Sequence, residues 1–323
     1  MFKTQSTILV TGAAGFIGSH LVSSLLTAGA HVIGIDCFDP YYSIGQKRQN
    51  IAEALSHSNF RFLEQSFLSD DLYDELSSSE IESIVHLGAK AGVRPSLEDP
   101  LGYYHNNVEG TLRLLEFCHR QDIRKFIFAS SSSVYGENQN RPWREDLGGL
   151  FPISPYAATK LAGEQLGHTF SHLYGIQFLA LRFFTVFGPR QRPDLAIHKF
   201  IHLLENQRSI PLFGDGSSSR DYTFVSDIVN GILGALSYDK SSFEIINLGQ
   251  GRPVTLLEMV QALGIAANCE PKVSFGEAQP GDVSHTLADI SKAKTLLDYK
   301  PETDFVSGVE HFYDWYHTNG RSE

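Results

Sequence analysis

Apolar residues along the first half of the chain come in short blocks separated by amphipathic stretches. Residues 7–10, 31–35, 60–63, 84–89, 126–129 and 179–184 are runs of four to six mostly apolar residues, which suits buried strands. Helical spacing fills the gaps. Leu21, Val22, Leu25 and Leu26 follow the first run, and Gly29 closes that helix. Residues 107–118 predict an amphipathic helix with Val108, Leu112, Leu115 and Phe117 in the core. A third helix is predicted to open at Pro155, where a missing N–H costs nothing. Strands alternating with helices predict an α/β fold, a doubly wound parallel (Rossmann) sheet with ligands beyond its C-terminal strand ends. The alternation fades after about residue 185. Turn signals such as Gly214-Asp215-Gly216 and Pro280-Gly281 follow. We expect a dinucleotide-binding domain over 1–185, with segments near 220–250 returning to it. Residues 186–323 are expected to form mainly a smaller substrate-binding lobe.

The first strand runs into Gly12-Ala13-Ala14-Gly15-Phe16-Ile17-Gly18, and the second ends in Asp36. Glycines here let the backbone turn tightly and approach a pyrophosphate at the helix N-terminus. Asp36, 18 residues past Gly18, is placed to accept a ribose diol and to repel a 2′-phosphate. NAD is therefore expected over NADP. Ser66 and Phe67, after the third run, are candidates to flank the adenine. Leu87 and Ala89 end the fourth run among small residues, as a cofactor-facing strand end often does. His86 reads as a packed strand residue.

Tyr156 and Lys160 are four apart and share one helix face. A nearby ammonium is expected to pull the phenol down from about 10, giving a base suited to a sugar hydroxyl. A serine run, residues 130–133, ends the strand before this helix. Arg190, Arg192 and Arg220 flank turns and are candidates for phosphate or carboxylate recognition. His168 with His172 and His198 with His202 have zinc-helix spacing. Neither pair has the glutamate of HExxH, so both read as surface histidines, and no metal is expected.

Composition narrows the partners. The chain has 26 Lys and Arg against 37 Asp and Glu, a net charge of −11, and no long basic run. That argues against a nucleic-acid surface. Three scattered cysteines suit a reducing compartment rather than a disulfide framework. No run is long enough to cross a membrane. The expectation is a soluble, cytoplasmic protein.

With these motifs in order, TGAAGFIGSH (11–20), SSSVYG (131–136), SPYAATK (154–160), FGPRQRPD (187–194) and SRDYTFVSD (219–227), the chain resembles the extended short-chain dehydrogenase/reductase family. Within it the chain is similar to the nucleotide-sugar epimerases. DPYYS (39–43), AGVRPS (91–96), residues 182–200 and QPGDV (279–283) look most like UDP-glucuronate 4-epimerases. The resemblance implies Tyr156 as base, Lys160 as its electrostatic and ribose-binding partner, and Ser131 as relay to the sugar O4, with Ser132 a second candidate. It implies Gly12, Gly15, Phe16, Ile17, Gly18 and Asp36 on NAD, with Asn107 nearby. Arg94, Phe213, Arg220, Tyr222 and Asp282 are candidates for the nucleotide sugar, and Thr185 and Arg192 for a uronate carboxylate. A homodimer through helices near 107–120 and 156–174 is also implied.

Departures from sister families narrow the chemistry. The 4,6-dehydratases carry an Asp–Glu pair where this chain has Ser132 and Ser133, and uronate decarboxylases carry Glu at the Ser133 position. UDP-galactose 4-epimerases usually have Asn for Thr185 and Arg for Gln279. The expected reaction is inversion of C4 of a UDP-sugar through a transient ketone. The alternatives are a neutral-sugar 4-epimerase, a related nucleotide-sugar dehydrogenase or decarboxylase, and an NAD-binding sensor.

Overall fold

The computed structural model describes residues 6–276 and 283–319. Twelve strands are seen among these residues. Those of the first half are β1 (Thr7–Thr11), β2 (His31–Ile35), β3 (Phe60–Leu63), β4 (Ser83–His86), β5 (Lys125–Ser131) and β6 (Gln177–Phe183). They are followed by β7 (Thr185–Phe187), β8 (Ile210–Phe213), β9 (Ser219–Phe224), β10 (Phe243–Leu248), β11 (Pro253–Thr255) and β12 (Val273–Gly276). Seven of them build one sheet in the order β10-β6-β5-β4-β1-β2-β3, with every pairing parallel. The chain lays down β1, β2 and β3 to one side, then returns to place β4 on the other side of β1. Strand β10 joins as the seventh member beside β6.

The strands are apolar on both faces because helices cover both. Ile8, Val10, Ile127, Leu179 and Leu181 point to one layer. Leu9, Phe126, Phe128, Phe178 and Ala180 point to the other. Strand periodicity of two puts neighbouring apolar residues in separate cores. A third cluster, with Phe187, Ile197, Ile201, Leu212, Phe224, Met259 and Phe312, builds the lobe around two small sheets. One holds β11, β9 and β7, the other β12 and β8.

The helix Pro155–Tyr174 is the longest among the described residues and carries the Tyr–Lys pair. Ser154 caps it, its hydroxyl accepting from the Ala157 N–H at 3.2 Å, and Gly175 ends it in a left-handed turn. Gly163 and Gly167 lie over the Phe128 and Phe178 rings, where a Cβ would strike the rings. Glycine at these two places lets the helix lie close on β5 and β6. The predicted helix over 107–118 is observed as a wide π turn, His105–Glu109, leading into the helix Gly110–Arg120. Leu115 and Phe117 are core as expected. Val108 and Leu112 are only half-buried, and Thr111, Leu114 and Cys118 take the inward face.

His86 is buried on β4. Its Nδ1 pairs with Thr11 Oγ1 at 2.7 Å and its Nε2 with Thr111 Oγ1 at 3.2 Å. Burial, aided by the Lys160 charge, lowers its pKa to about 3, so the ring is neutral. In the unfolded chain the ring takes a proton near pH 6.5 that the folded site refuses. The stabilisation is therefore full above pH 6.5 and is lost as pH falls towards 3. Denaturant titrations at pH 7 and pH 5 check this. The wild type is expected to lose about 2 kcal/mol more than His86→Gln over that interval. Equal losses would show that His86 is not the group responsible.

Candidate active site

The reversal of strand order between β1 and β4 opens a crevice at their C-terminal ends. The helix Phe16–Thr27 begins there. Its N-terminus has no side-chain cap and no acid in its first turn, so its N–H groups and the positive end of its dipole suit a phosphate. A Cβ on Gly18 would collide with the Gly12 carbonyl oxygen, so only glycine lets the helix start this close to its own turn. Phe16 and Ile17 form the first turn, which Gly15 precedes. Asp36 follows β2, with Oδ2 accepting from Ala14 N–H at 3.2 Å and Oδ1 from Phe38 N–H at 2.9 Å. Each oxygen keeps room for a hydroxyl donor. Uncapped amides, a phosphate-sized turn and a half-buried carboxylate fit a dinucleotide.

The walls of the crevice are held by side chains working on the backbone. Thr11 Oγ1 accepts from Gly88 N–H at 3.0 Å, placing half-buried Leu87 and Ala89 beside the glycine turn. Asn107 is buried. Its Oδ1 accepts from Lys90 N–H at 2.9 Å, and its Nδ2 donates to Lys90 O at 2.9 Å and to Thr159 Oγ1 at 3.0 Å. These bonds clamp the loop after β4 to the Tyr–Lys helix. Ser66 Oγ accepts from Leu68 N–H at 3.2 Å. Phe67, a candidate with Ser66 to flank the adenine, turns its ring into the core. It packs under Gly110 and Gly88 and meets His86 edge-on.

Tyr156 stands half-buried at the centre. The Tyr103 ring meets it edge-on at 6.3 Å. Lys160 is buried one turn further, its Nζ donating to Ala129 O at 2.7 Å and standing 5.9 Å from the Tyr156 ring centre. Lys160 was expected to pull the phenol pKa down, and the structure differs. Burial raises the Tyr156 pKa and lowers that of Lys160 to about 7, because desolvation penalises the charged form of each. The groups that favour the phenolate are a hydrogen bond with Ser131 and the positive charge of Arg192. Ser131 ends β5, and its hydroxyl also accepts from Ser133 N–H at 3.2 Å and Ser133 Oγ at 2.8 Å. Ser132 lies in the following turn, half-buried. Of the two serines, Ser131 is the one engaged with the base.

A buried ion pair underpins this arrangement. Arg182 on β6 donates to Glu164 through Nε at 2.9 Å and Nη2 at 2.8 Å, and Ser130 Oγ donates to the same carboxylate at 2.5 Å. Glu164 stands two turns from Tyr156 on the same helix. The spacing Tyr156, Lys160, Glu164 was the available signal for it, and sequence reasoning passed it over.

The opposite wall comes from the lobe and from the loop after β2. Thr185 opens β7, half-buried and in register with Tyr222. Arg192 is paired with Asp194, Nε to Oδ1 at 2.9 Å and Nη2 to Oδ2 at 2.8 Å. Tyr41 donates to Asp194 Oδ2 at 3.2 Å, and Arg192 stands 5.3 Å over the Tyr41 ring. Phe213 is exposed at the end of β8, with the Arg94 guanidinium 6.0 Å from its ring. Arg220 donates through Nη1 to the carbonyls of Ser219 and Ser284, each at 3.1 Å. Arg190 is half-buried, its Nη1 without a hydrogen-bond partner among the described residues. Tyr222, expected on the nucleotide, is a core side chain against Phe187 and Phe305. Gln279 and Asp282 lie outside the described residues.

His198 is likewise not the surface residue expected. It is buried against Phe312, Trp315 and Tyr316, its Nδ1 paired with Gln191 O at 3.0 Å. Among the described residues no three His, Cys, Asp or Glu side chains gather as metal ligands. No helix there is long and apolar enough to cross a membrane.

Residues 8–249 match the profile of the NAD dependent epimerase/dehydratase family. The chain belongs to this family. A UDP-glucuronate 4-epimerase of Thermodesulfobacterium geofontis is 38% identical over 309 residues, covering 95% of each chain. The structure is similar to the UDP-glucuronic acid 4-epimerase from Bacillus cereus solved with UDP-glucuronic acid and NAD. That similarity has a TM-score of 0.91 at 40% identity, covering 96% of this chain and 99% of the other. It is also similar to the UDP-glucose 4-epimerase from Thermotoga maritima solved with UDP-glucose, with a TM-score of 0.89 at 30% identity, covering 98% and 100%.

The ion pair under the site gives a direct test. Glu164→Gln leaves the Arg182 charge buried without its counter-charge. Stability by denaturant titration is expected to fall by about 3–5 kcal/mol. A loss below about 1 kcal/mol would mean that water reaches Arg182 well enough to replace the carboxylate.

Proposed function

We propose that this chain is an NAD-dependent UDP-sugar 4-epimerase and that its substrate is UDP-glucuronate, converted to UDP-galacturonate. What supports the reading is Arg192, half-buried and close enough for its charge to favour the phenolate of half-buried Tyr156, as does hydrogen bonding with Ser131 at the end of β5. A cation there suits a sugar that carries a carboxylate next to the reacting carbon. The B. cereus relative, solved with UDP-glucuronic acid and NAD, supports it.

In this reading the part around the large sheet, mainly 1–185, holds the cofactor, and 186–323 mainly holds the nucleotide sugar. The helix Phe16–Thr27 takes the pyrophosphate on its free N–H groups and Asp36 takes the ribose diol. Its negative charge selects against a 2′-phosphate. Phe213 offers a stacking face for the uracil, and Arg94 and Arg220 offer charge to the diphosphate. Tyr156 accepts the proton of the sugar C4 hydroxyl, with Ser131 bridging phenol and hydroxyl. Bound NAD supplies the hydride acceptor at C4 and, after the sugar has turned, the hydride donor, so it is regenerated within each turnover. Tyr156 then returns the proton to O4 on the opposite face.

The ketone formed from a uronate is a β-keto acid. If the C5–C6 bond lines up with the carbonyl π system, CO2 leaves, the bonding pair becomes an enolate at C4, and C5 takes a proton. We assign Thr185 and Arg192 to hold the carboxylate out of that alignment, the guanidinium being able to grip it at two points. The acids that serve dehydration or decarboxylation in sister families are Ser132 and Ser133 here.

We also read the protein as a cytoplasmic homodimer. Its three cysteines are unpaired, and Leu97, Leu101, Tyr104, Leu173 and Tyr174 are exposed on or beside the helices expected to pair. Sedimentation is expected to give twice the 35.9 kDa chain mass, and Leu101→Lys to shift it to one chain mass. A wild type sedimenting as one chain discards the dimer.

Proton NMR of the purified protein with UDP-glucuronate, and with UDP-glucose and UDP-N-acetylglucosamine in parallel, tests the activity. A galacto anomeric signal from UDP-glucuronate alone is the expected outcome. Turnover of a neutral sugar instead would keep the mechanism and reject the uronate. A UDP-pentose product would reject the carboxylate-holding role.

A further inference from the structure

Arg192 has two faces that a carboxylate can grip, the side edge of Nε and Nη2 and the end edge of Nη1 and Nη2. Asp194 occupies the side edge with two bonds, at 2.9 and 2.8 Å. Nη1 and the second Nη2 hydrogen lie outside that pair. Tyr41, reaching across from the loop after β2, fixes Asp194 from behind at 3.2 Å and shields the pair with its ring. The pair is partly withdrawn from water, with side-chain exposures of 16% for Arg192 and 32% for Asp194, so its charges act on each other and on an incoming anion more strongly than at an open surface.

The chemistry proposed above imposes a conflict on such an arginine. The carboxylate must be held so that CO2 is kept, yet the ketone must turn over in the pocket before it is reduced. An arginine whose only anion was the substrate would oppose that turn by the full strength of a desolvated ion pair. An arginine already half neutralised binds the carboxylate less tightly and stays in place when the carboxylate leaves.

We propose that Asp194, held by Tyr41, weakens the grip of Arg192 on the uronate so that the sugar can release and turn within the pocket. Asp194 is then a positioning residue that lowers substrate affinity and raises turnover. This inference rests on the proposed uronate epimerase activity.

The signature is a split in opposite directions that mere support of the fold does not produce. Asp194→Asn is compared with wild type by calorimetric titration of UDP-glucuronate and of UDP-glucose, and by NMR turnover of UDP-glucuronate. The expected result is UDP-glucuronate binding at least threefold tighter, UDP-glucose binding unchanged within twofold, and kcat for UDP-glucuronate lowered at least fivefold. Asp194→Glu, which keeps the charge, is expected to return both quantities towards wild type. Asp194→Ala carries the same expectation as Asn and covers the case in which Asn packs poorly.

Weaker UDP-glucuronate binding in both the Asn and Ala variants would overturn the proposal, as would an equal change for the two sugars or an unaltered kcat. A wild type that turns over no UDP-glucuronate would reject the activity itself, and this inference with it. A working wild type with unchanged variants rejects the inference alone.

Discussion

The site depends on how the helix Pro155–Tyr174 is seated on the sheet, and a single buried carboxylate fixes that seat. Glu164 takes two bonds from Arg182 of β6 and one from Ser130 of β5. A carboxylate and guanidinium withdrawn from water are stable only in a narrow geometry, so small shifts of the helix along the sheet are costly. Ser130 precedes Ser131, and Glu164 is two turns from Tyr156. The bonds that satisfy the ion pair therefore also set the distance between the proposed relay and the proposed base. Glycines at 163 and 167 make the close approach possible, and Asn107 adds a second clamp through Thr159 and the loop after β4.

Desolvation here works against charge. It moves Tyr156 and Lys160 towards their neutral forms, although a phenolate is what a proton acceptor needs. The compensating charge comes from across the cleft, from Arg192 of the lobe. The chemistry proposed for Tyr156 is then tied to the meeting of the large sheet with the lobe. The contacts Arg94–Phe213 and Tyr41–Asp194 show the same dependence, each joining a segment that follows a strand of the large sheet to a residue of the lobe.

What was legible in the sequence was what is local. The run from β1 through the glycine turn to Asp36 lies within 30 residues and each part constrains the next, so the fold and the dinucleotide crevice could be read directly. Tyr156 and Lys160 share a helix face for the same reason. The direction in which an aromatic points was not legible. Phe67 and Tyr222 sit beside the predicted site in sequence, but Phe67 lies in the loop after β3 and Tyr222 shares its face of β9 with core Phe224, so which neighbours each ring meets is set by tertiary packing. His198 was misread because its partner is a loop carbonyl, which no spacing pattern records. Tyr41 and Asp194 are 153 residues apart, and only the packing of two lobes brings them together.

In the proposed assignment the nucleotide and the sugar are served by different kinds of residue. The exposed Phe213 ring and the Arg94 guanidinium beside it, proposed for the nucleotide, can make strong, lasting contacts that cost nothing in turnover. Around Tyr156 the contacts are a serine already shared with its neighbour and an arginine already shared with an aspartate. A group that is partly satisfied by the protein gains less from the ligand. For a substrate that must present both faces of one carbon to the same base, weak and redundant contacts at the sugar are a functional requirement. Firm binding is then left to the part of the substrate that does not move.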